Sequence, residues 1–282
     1  MKIIEKVAEM NEASCENRKK GLKISLVPTM GYLHDGHISL VKIARANSDI
    51  VVLSNFVNPT QFGPNEDYNR YPRDIARDNK ICKESGVDIV FAPSVNEMYS
   101  KDESIWVYED KLSKVLCGKS RPNHFRGVCT VVSKLFNIIQ PDIAVFGMKD
   151  YQQLRIIERM VENLKYPISI LRGPIVREKD GLAMSSRNKY LNCEERKNAT
   201  TIFSSLEDAK NKILNGEKNL EKLKYDIELR ISQSGGKIDY IEFMDAENLT
   251  PMTNLTAPFA LLIAIAAFYG NTRLIDNLIV RL

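Results

Sequence analysis

Between residues 22 and 176 short apolar, β-rich runs alternate with stretches whose apolar residues recur at helical spacing. "LKISLVPTM" leads into the helix-like "HISLVKIARANS", and "DIVVLSNFVNP" is followed by a polar loop, a charged helix near 74–85 and the run "VDIVFAPS". Further on, "RGVCTVVSKLFNIIQ" has helical spacing, "PDIAVFG" reads as a strand, "DYQQLRIIERMVENL" as a helix and "PISILRGPIV" as a strand. Such alternation builds βαβ units, so the pattern predicts an α/β fold: a Rossmann-like parallel sheet with helices on both faces. The texture changes after about residue 177. A polar "REKDGLAMSSRNKYLN" precedes two Lys/Glu-rich helical stretches to about residue 232, and "KIDYIEFMDAENL", "FALLIAIAAF" and "TRLIDNLIV" then read as strands. The last two are joined through "YGN", a plausible hairpin turn. Two domains are therefore expected, a Rossmann-like one over 1–176 and a smaller α+β one over 177–282.

Composition narrows the classes of function. A 44 % hydrophobic fraction over 282 residues supports true cores. With 40 basic against 36 acidic residues the net charge is +4, far from the excess of a dedicated nucleic-acid binder, so any positive charge that matters is local. The N-terminal "MKIIEKVAEMNEA" carries acids early and has no continuous apolar core, which argues against a signal peptide or anchor. The longest apolar run, "APFALLIAIAAF" at 257–268, is too short to span a bilayer and reads as a buried strand. The five cysteines (Cys15, Cys82, Cys117, Cys129 and Cys193) are odd in number and scattered, with no Cys-x-x-Cys pair, as expected of reduced thiols in a cytoplasmic protein. No nucleic-acid or membrane partner is expected.

In an open α/β sheet ligands sit beyond the carboxyl ends of the strands, and the chemistry-bearing stretches fall there. "PTMGYLHDGH", residues 28–37, holds His34 and His37 at the start of a helix, a natural seat for phosphate. Gly36 would let a nucleotide approach the backbone, and the imidazoles can donate to phosphate oxygens or protonate a departing group. Two other readings stay open: a metal pair, for which His124 is the only remaining histidine, and a structural turn with both rings satisfied. In "FGMKDYQQ", residues 146–153, Lys149 can neutralise a triphosphate, Asp150 can accept from a ribose hydroxyl or cap the helix, and Gln153 follows one turn later. A Lys-Asp pair there serves equally for capping and solvation. "DGLAMSSRN", residues 180–188, is either a linker or a mobile clamp in which Ser185, Ser186 and Arg187 close on phosphates. The loop "NFVNPTQFGPNEDYNRYPRD" is either disordered or a binding wall offering Gln61 and Tyr71 as neutral orienting groups. The basic residues of "GKSRPNHFRGV", residues 118–128, suit an anionic ligand.

Taken in order, "PTMGYLHDGH", "NPTQF", "RPNHFRGV", "GMKDYQQL" and "DGLAMSSRN" resemble the pantoate–β-alanine ligase family of the HIGH-motif nucleotidyltransferase superfamily, over most of residues 24–191. The His-x-Gly-His element alone gives only the superfamily. The resemblance implies a two-step reaction: ATP and pantoate form pantoyl adenylate and pyrophosphate, and the amine of β-alanine then displaces AMP to give pantothenate. It implies His37 as proton donor with His34 beside it, and Lys149, Ser185, Ser186 and Arg187 on the phosphates, helped by magnesium. Met30 to His37, Gly147 to Asp150 (Gly147, Met148, Lys149, Asp150), Val176 and Met184 to Arg187 match ATP-contacting segments, and Gln61 with Gln153 matches the pantoate-binding pair. Tyr71, Asn58 and Arg121 are candidates for β-alanine, the magnesium ligands are left unassigned, and the resemblance further implies a homodimer.

Two positions depart from the family pattern, with Met148 where "GEKD" would have Glu and Asn123 where "RPGHF" would have Gly. The C-terminal region matches only through "EFMDAENL" and "AFYGNTRLIDN". Two other classes of function compete with the ligase. A HIGH-superfamily transferase with another acceptor would need a different wall, against which "NPTQF" and "KDYQQ" argue. A nucleotide-binding module without catalysis would be expected to lack His37 or the Lys and Ser/Arg set, all of which are present.

Overall fold

The computed structural model describes residues 1–64, 66–255 and 260–281, which form two compact units. The first holds Met1–Asp110, Arg121–Met148 and Ile156–Pro174; the second holds Lys111–Ser120, Lys149–Arg155 and the described part of Ile175–Leu282. The chain thus passes to the second unit at 174/175, and two short segments cluster with it from far away in sequence. A cut drawn along the sequence cannot register such segments.

The first unit is built on six parallel strands, β1 (Lys2–Ile4), β2 (Ile24–Thr29), β3 (Ile50–Asn55), β4 (Ile89–Phe91), β5 (Ile143–Gly147) and β6 (Ser169–Gly173). Their spatial order is β1-β4-β3-β2-β5-β6. The helices between them are α1 (Val7–Lys19), α2 (Asp35–Asn47), α3 (Ile75–Glu84), α4 (Val95–Met98), α5 (Cys117–Ser120), α6 (His124–Ile139) and α7 (Tyr151–Asn163), with α5 and the first turn of α7 belonging to the second unit. Val27, Val51, Leu53, Val90, Ile143 and Val145 share a core with Leu40, Val41 and Ala44 of α2. The alternate residues Ile24, Leu26, Val52 and Ala144 are equally buried and point to the other face, as the two-residue strand period requires. Burial on both faces explains why these strands read as continuous apolar runs rather than alternating ones.

The strand order reverses beside β2. Its ladder with β3 runs over all six residues, whereas its ladder with β5 covers only Ser25↔Ile143 and Leu26↔Ala144. Pro28, which has no N–H, lies beyond that last pair and removes no donor from the β2–β5 ladder. β5 meanwhile stays paired with β6 as far as Gly147↔Gly173. β2 and β5 therefore part before their carboxyl ends, at the topological switch point where open α/β sheets hold ligands.

In the second unit β7 (Lys237–Asp245), β8 (Ala260–Tyr269) and β9 (Thr272–Arg281) form an antiparallel sheet with β8 in the centre. The short helix α8 (Cys193–Asn198) precedes α9 (Thr201–Leu214) and α10 (Leu220–Gln233). Ile202, Leu206, Leu223 and Ile227 from α9 and α10 pack against Leu261, Ile263 and Ile265 of β8. The two imported segments bond to the same sheet region: Cys117 Sγ lies 3.2 Å from the Tyr240 hydroxyl, and the Tyr151 hydroxyl donates to the Ala246 carbonyl at 3.0 Å. Covered by other parts of the chain, β8 is buried along nearly its whole length, so the apolar run is a strand from residue 260 onward; residues 257–259 lie outside the described ones. Among the described residues no helix is long and apolar enough to cross a membrane. All five cysteines are free thiols, and burial pushes those of Cys82 and Cys129 up to about 12.

Between β2 and α2 the chain makes a turn with two successive left-handed residues, Gly31 (φ +78°) and Tyr32 (φ +50°). A Cβ at residue 31 would overlap the Asn55 side chain, so glycine is required on space as well as conformation. Tyr32 adopts a conformation unfavourable to L-residues, and it is held there from outside the turn. Asp78 of α3, 1 % exposed, accepts the backbone N–H groups of Tyr32 (2.7 Å) and Leu33 (2.8 Å). The preceding residue of α3, Arg77, donates to the Leu33 carbonyl at 2.9 Å and lies over the Tyr32 ring. At roughly 1–3 kcal/mol for each buried N–H left without an acceptor, Asp78→Ala is expected to lower the unfolding free energy by about 2–4 kcal/mol. Urea unfolding measures this, and a loss below about 0.5 kcal/mol would mean that water takes the place of the carboxylate.

Candidate active site

The turn held by Asp78 delivers the two histidines. His34 has extended backbone angles (φ −142°, ψ 173°) and sits at the N-cap of α2, with His37 three residues on. Their rings lie 4.0 Å apart between centroids, and the His34 backbone N–H donates to His37 Nδ1 at 3.2 Å. A ring nitrogen that accepts is unprotonated, so this bond leaves the His37 proton on Nε2 and makes that nitrogen the donor. The positive end of the thirteen-residue α2 lies at the same place, where anions are favoured.

The loop after β3 is packed as a wall. Asn58, Gln61 and Tyr71 are buried, and Tyr71 packs edge-on against Phe62. Asn58 Oδ1 accepts from the Thr60 N–H and from the hydroxyls of Thr60 and Tyr99, while its Nδ2 donates to the Gly127 carbonyl (3.2 Å) and to Gln61 Oε1 (3.1 Å). Backbone partners thus fix which end of the Asn58 amide is oxygen, and Asn58 in turn fixes Gln61, whose NH2 is the donating end, 3.2 Å from Met30 Sδ. Gly127 makes the arrangement possible, because a Cβ there would overlap the Thr60 carbonyl. Helix α6 begins beyond Asn123, whose left-handed angles (φ 66°, ψ −4°) explain the departure from Gly, since Asn is among the few side chains that tolerate them.

Arg121 and His124 brace this wall. The Arg121 guanidinium grips Glu66 with two bonds of 2.6 and 2.7 Å and donates to His124 Nε2 at 3.1 Å, while His124 Nδ1 donates to the Gln61 carbonyl at 2.8 Å. These contacts account for both nitrogens of the His124 ring. Among the described residues no group of three His, Cys, Asp or Glu is arranged to hold a metal ion.

In the second unit Lys149 and Asp150 lie in a 3-10 turn (Met148–Asp150) that runs into α7, whose first turn carries Gln153. The preceding Gln152 is buried and spent on packing: it accepts the Cys117 N–H and donates to the carbonyls of Leu112 and Val115. Val176 and Met184, eight positions apart in sequence, are brought together by the Met184 N–H bond to the Val176 carbonyl at 3.0 Å, reinforced by an antiparallel bridge between Arg177 and Ala183. Ser185 then caps a 3-10 turn (Ser186–Tyr190) by accepting the Arg187 N–H, and Ser186 is buried. Asn188 ties the turn back to the Ala183 carbonyl and Glu178. The segment is therefore a bonded loop rather than a plain linker. Met30, His34, His37, Gln61, Gly147 and Met148 belong to the first unit, and Lys149, Asp150, Gln153, Val176 and Met184 to Arg187 belong to the second.

Asp78 and Glu66 lie outside the five motifs, Gln152 lies within "KDYQQ" but serves packing, and Asn58 and Arg121, the candidates for β-alanine, are hydrogen-bonded into the wall that holds Gln61. Burial alone would raise the Glu66 carboxyl, but the Arg121 hydrogen bonds and charge outweigh it and hold the group below its ordinary 4.5. Its stabilising contribution is then full above about pH 4.5 and lost as pH falls through the lowered value. Glu66→Gln is expected to flatten the fall in urea midpoint below about pH 5; parallel acid limbs for variant and wild type would show that the pair adds nothing.

The family model for pantoate-beta-alanine ligase matches residues 2–279. The pantothenate synthetases of Thermotoga petrophila and Fervidobacterium nodosum are 55 % and 54 % identical over 280 residues, covering 99 % of this chain and 99 % of each relative. Among solved structures, pantothenate synthetase from Thermus thermophilus has a TM-score of 0.91 at 42 % identity, covering 99 % of both chains. Pantoate-beta-alanine ligase from Francisella tularensis, complexed with beta-gamma ATP and beta-alanine, has a TM-score of 0.81 at 35 % identity, covering 99 % of this chain and 97 % of that one. With nearly its whole length matched, the chain belongs to the pantoate–β-alanine ligase family of enzymes.

Proposed function

We propose that the protein uses ATP to condense pantoate with β-alanine, forming pantothenate, AMP and pyrophosphate. The observation that carries the reading is the full-length family match together with the histidine turn at the end of β2, beside the strand that leads to Gly147–Asp150. In the first step the pantoate carboxylate attacks the α-phosphorus, a P–O bond forms, and the bond to the β-phosphate oxygen breaks. Negative charge grows on the departing pyrophosphate. The Nε2–H of His37, with His34 beside it at the positive end of α2, supplies the donor that such charge requires. Met30, Gly147, Met148, Asp150, Val176 and Met184 line the nucleotide in this reading, and Lys149, Ser185, Ser186 and Arg187 hold its phosphates. Gln61 and Gln153 orient pantoate through neutral amides, which leave its carboxylate nucleophilic.

In the second step the β-alanine amine attacks the acyl carbon, the acyl–phosphate bond breaks, and AMP leaves with the electron pair while the amine sheds its proton. Magnesium, accompanying ATP, would supply countercharge to the phosphates, and no side chain is assigned to hold it. The same reading takes the enzyme as a cytoplasmic homodimer.

The deciding experiment follows pyrophosphate release from ATP and magnesium with pantoate alone, then with β-alanine added. A single-turnover burst that becomes continuous AMP formation supports both steps, and no burst with ATP still bound would overturn the choice of acid. His37→Ala is expected to slow the burst by roughly 10² or more while the protein stays folded, and near-normal turnover would remove His37 from the mechanism. Gln153→Ala is expected to raise the KM for pantoate more than that for ATP. Equal effects would mean that Gln153 serves another ligand.

A further inference from the structure

β9 carries two successive polar residues, Asp276 and Asn277, in the middle of the apolar "TRLIDNLIV", and each is 5 % exposed. Neighbouring residues of a strand point to opposite faces. Asp276 pairs in register with Ile265, on the face covered by α9 and α10, and Asn277 pairs with Ala264. The Asp276 carboxylate accepts two bonds from the Arg177 guanidinium, at 2.6 and 3.0 Å. That guanidinium lies 3.8 Å from the centre of the Phe203 ring and also donates to the Gly181 carbonyl at 3.1 Å. Arg177 adjoins Val176 and bridges to Ala183, so this one ion pair anchors both limbs of the loop that leads to Met184–Arg187. Asn277 Nδ2 donates to the backbone carbonyl of Lys149 at 2.9 Å.

Core stability does not call for these groups. Apolar residues of similar volume commonly serve as well as a buried ion pair or better, and burial here pushes the Asp276 carboxyl above its ordinary range in spite of Arg177. What the two residues have in common is what they hold. We propose that Asp276 and Asn277 are positioning residues, by which one strand sets Lys149 and the Val176–Arg187 loop at a fixed spacing, each from a different face of β9. The inference rests on the reading of those two segments as the phosphate-binding groups of the second unit. It assigns the C-terminal sheet a task in adenylation: the cations that meet the triphosphate are spaced by a rigid strand instead of by the loops that carry them.

Two variants test this in the full-length enzyme. Asn277→Ala removes the bond to Lys149, and the double variant Arg177→Met with Asp276→Leu replaces the ion pair by apolar groups and strands no charge. The double variant is expected to melt close to wild type, and Asn277→Ala, which leaves one carbonyl without its donor, slightly below it. Because small misplacements of reacting groups cost large factors, kcat/KM for ATP should fall about tenfold or more while the KM for β-alanine stays within about twofold. Amide hydrogen exchange should quicken at 148–152 in Asn277→Ala and at 176–187 in the double variant. A kcat/KM for ATP within about twofold of wild type in folded variants would overturn the proposal, as would an equal loss for all three substrates that follows a lowered melting temperature. If the double variant does not fold, Asn277→Ala decides alone. If wild type makes no pantothenate the functional reading fails, and the exchange measurements still decide whether β9 holds the two segments.

Discussion

β2 and β5 lie side by side in the parallel sheet, yet their ladder ends at Leu26 and Ala144 while each goes on pairing with its other neighbour. Pro28 contributes to the separation because it has no N–H with which to extend the pairing. Reversal of the strand order at the same place leaves no crossover helix above the gap. The histidine turn must then leave β2 sharply, through Gly31 and Tyr32, and a carboxylate from α3 holds it against its conformational cost. The strained turn, the aspartate beneath it and the helix N-terminus beyond it all lie at that parting.

The candidate residue Gln61 is held by a network of its neighbours. Gln61 is set by Asn58, which is itself set by backbone groups of Thr60 and Gly127; His124 and Arg121 brace the same loop through the Gln61 carbonyl and Glu66. Such networks have little tolerance for partial satisfaction in a low-dielectric interior, which is why they hold one geometry. Preorganisation of this kind spares the enzyme reorganisation when charge develops during reaction.

The parallel sheet was legible because doubly covered strands give unbroken apolar runs, and the site segments were legible because each follows such a run directly. β1 escaped notice: three residues are too few for a period. α1 escaped it because only Met10 and Ser14 are buried, so the helix has no apolar stripe. The association of residues 111–120 and 149–155 with the second unit depends on contacts such as Cys117–Tyr240 and Tyr151–Ala246, made across 123 and 95 positions. Asp78 and Glu66 look like any charged residue on a helix or loop until their partners are known. Asp276 and Asn277 did leave a mark, two polar letters in an apolar strand, but only the positions of Arg177 and Lys149 give that mark a meaning.

The fixed amide of Gln61 also limits which groups can pair with it. Asn58 occupies its oxygen, so the end turned to Met30 offers hydrogens only. An incoming molecule must bring lone pairs to that spot, as a hydroxy acid does. An ammonium group at that spot would meet donor with donor and forgo the hydrogen bond that a hydroxyl or carboxylate oxygen can accept. A single buried asparagine thereby decides which end of its neighbour's amide is left to donate.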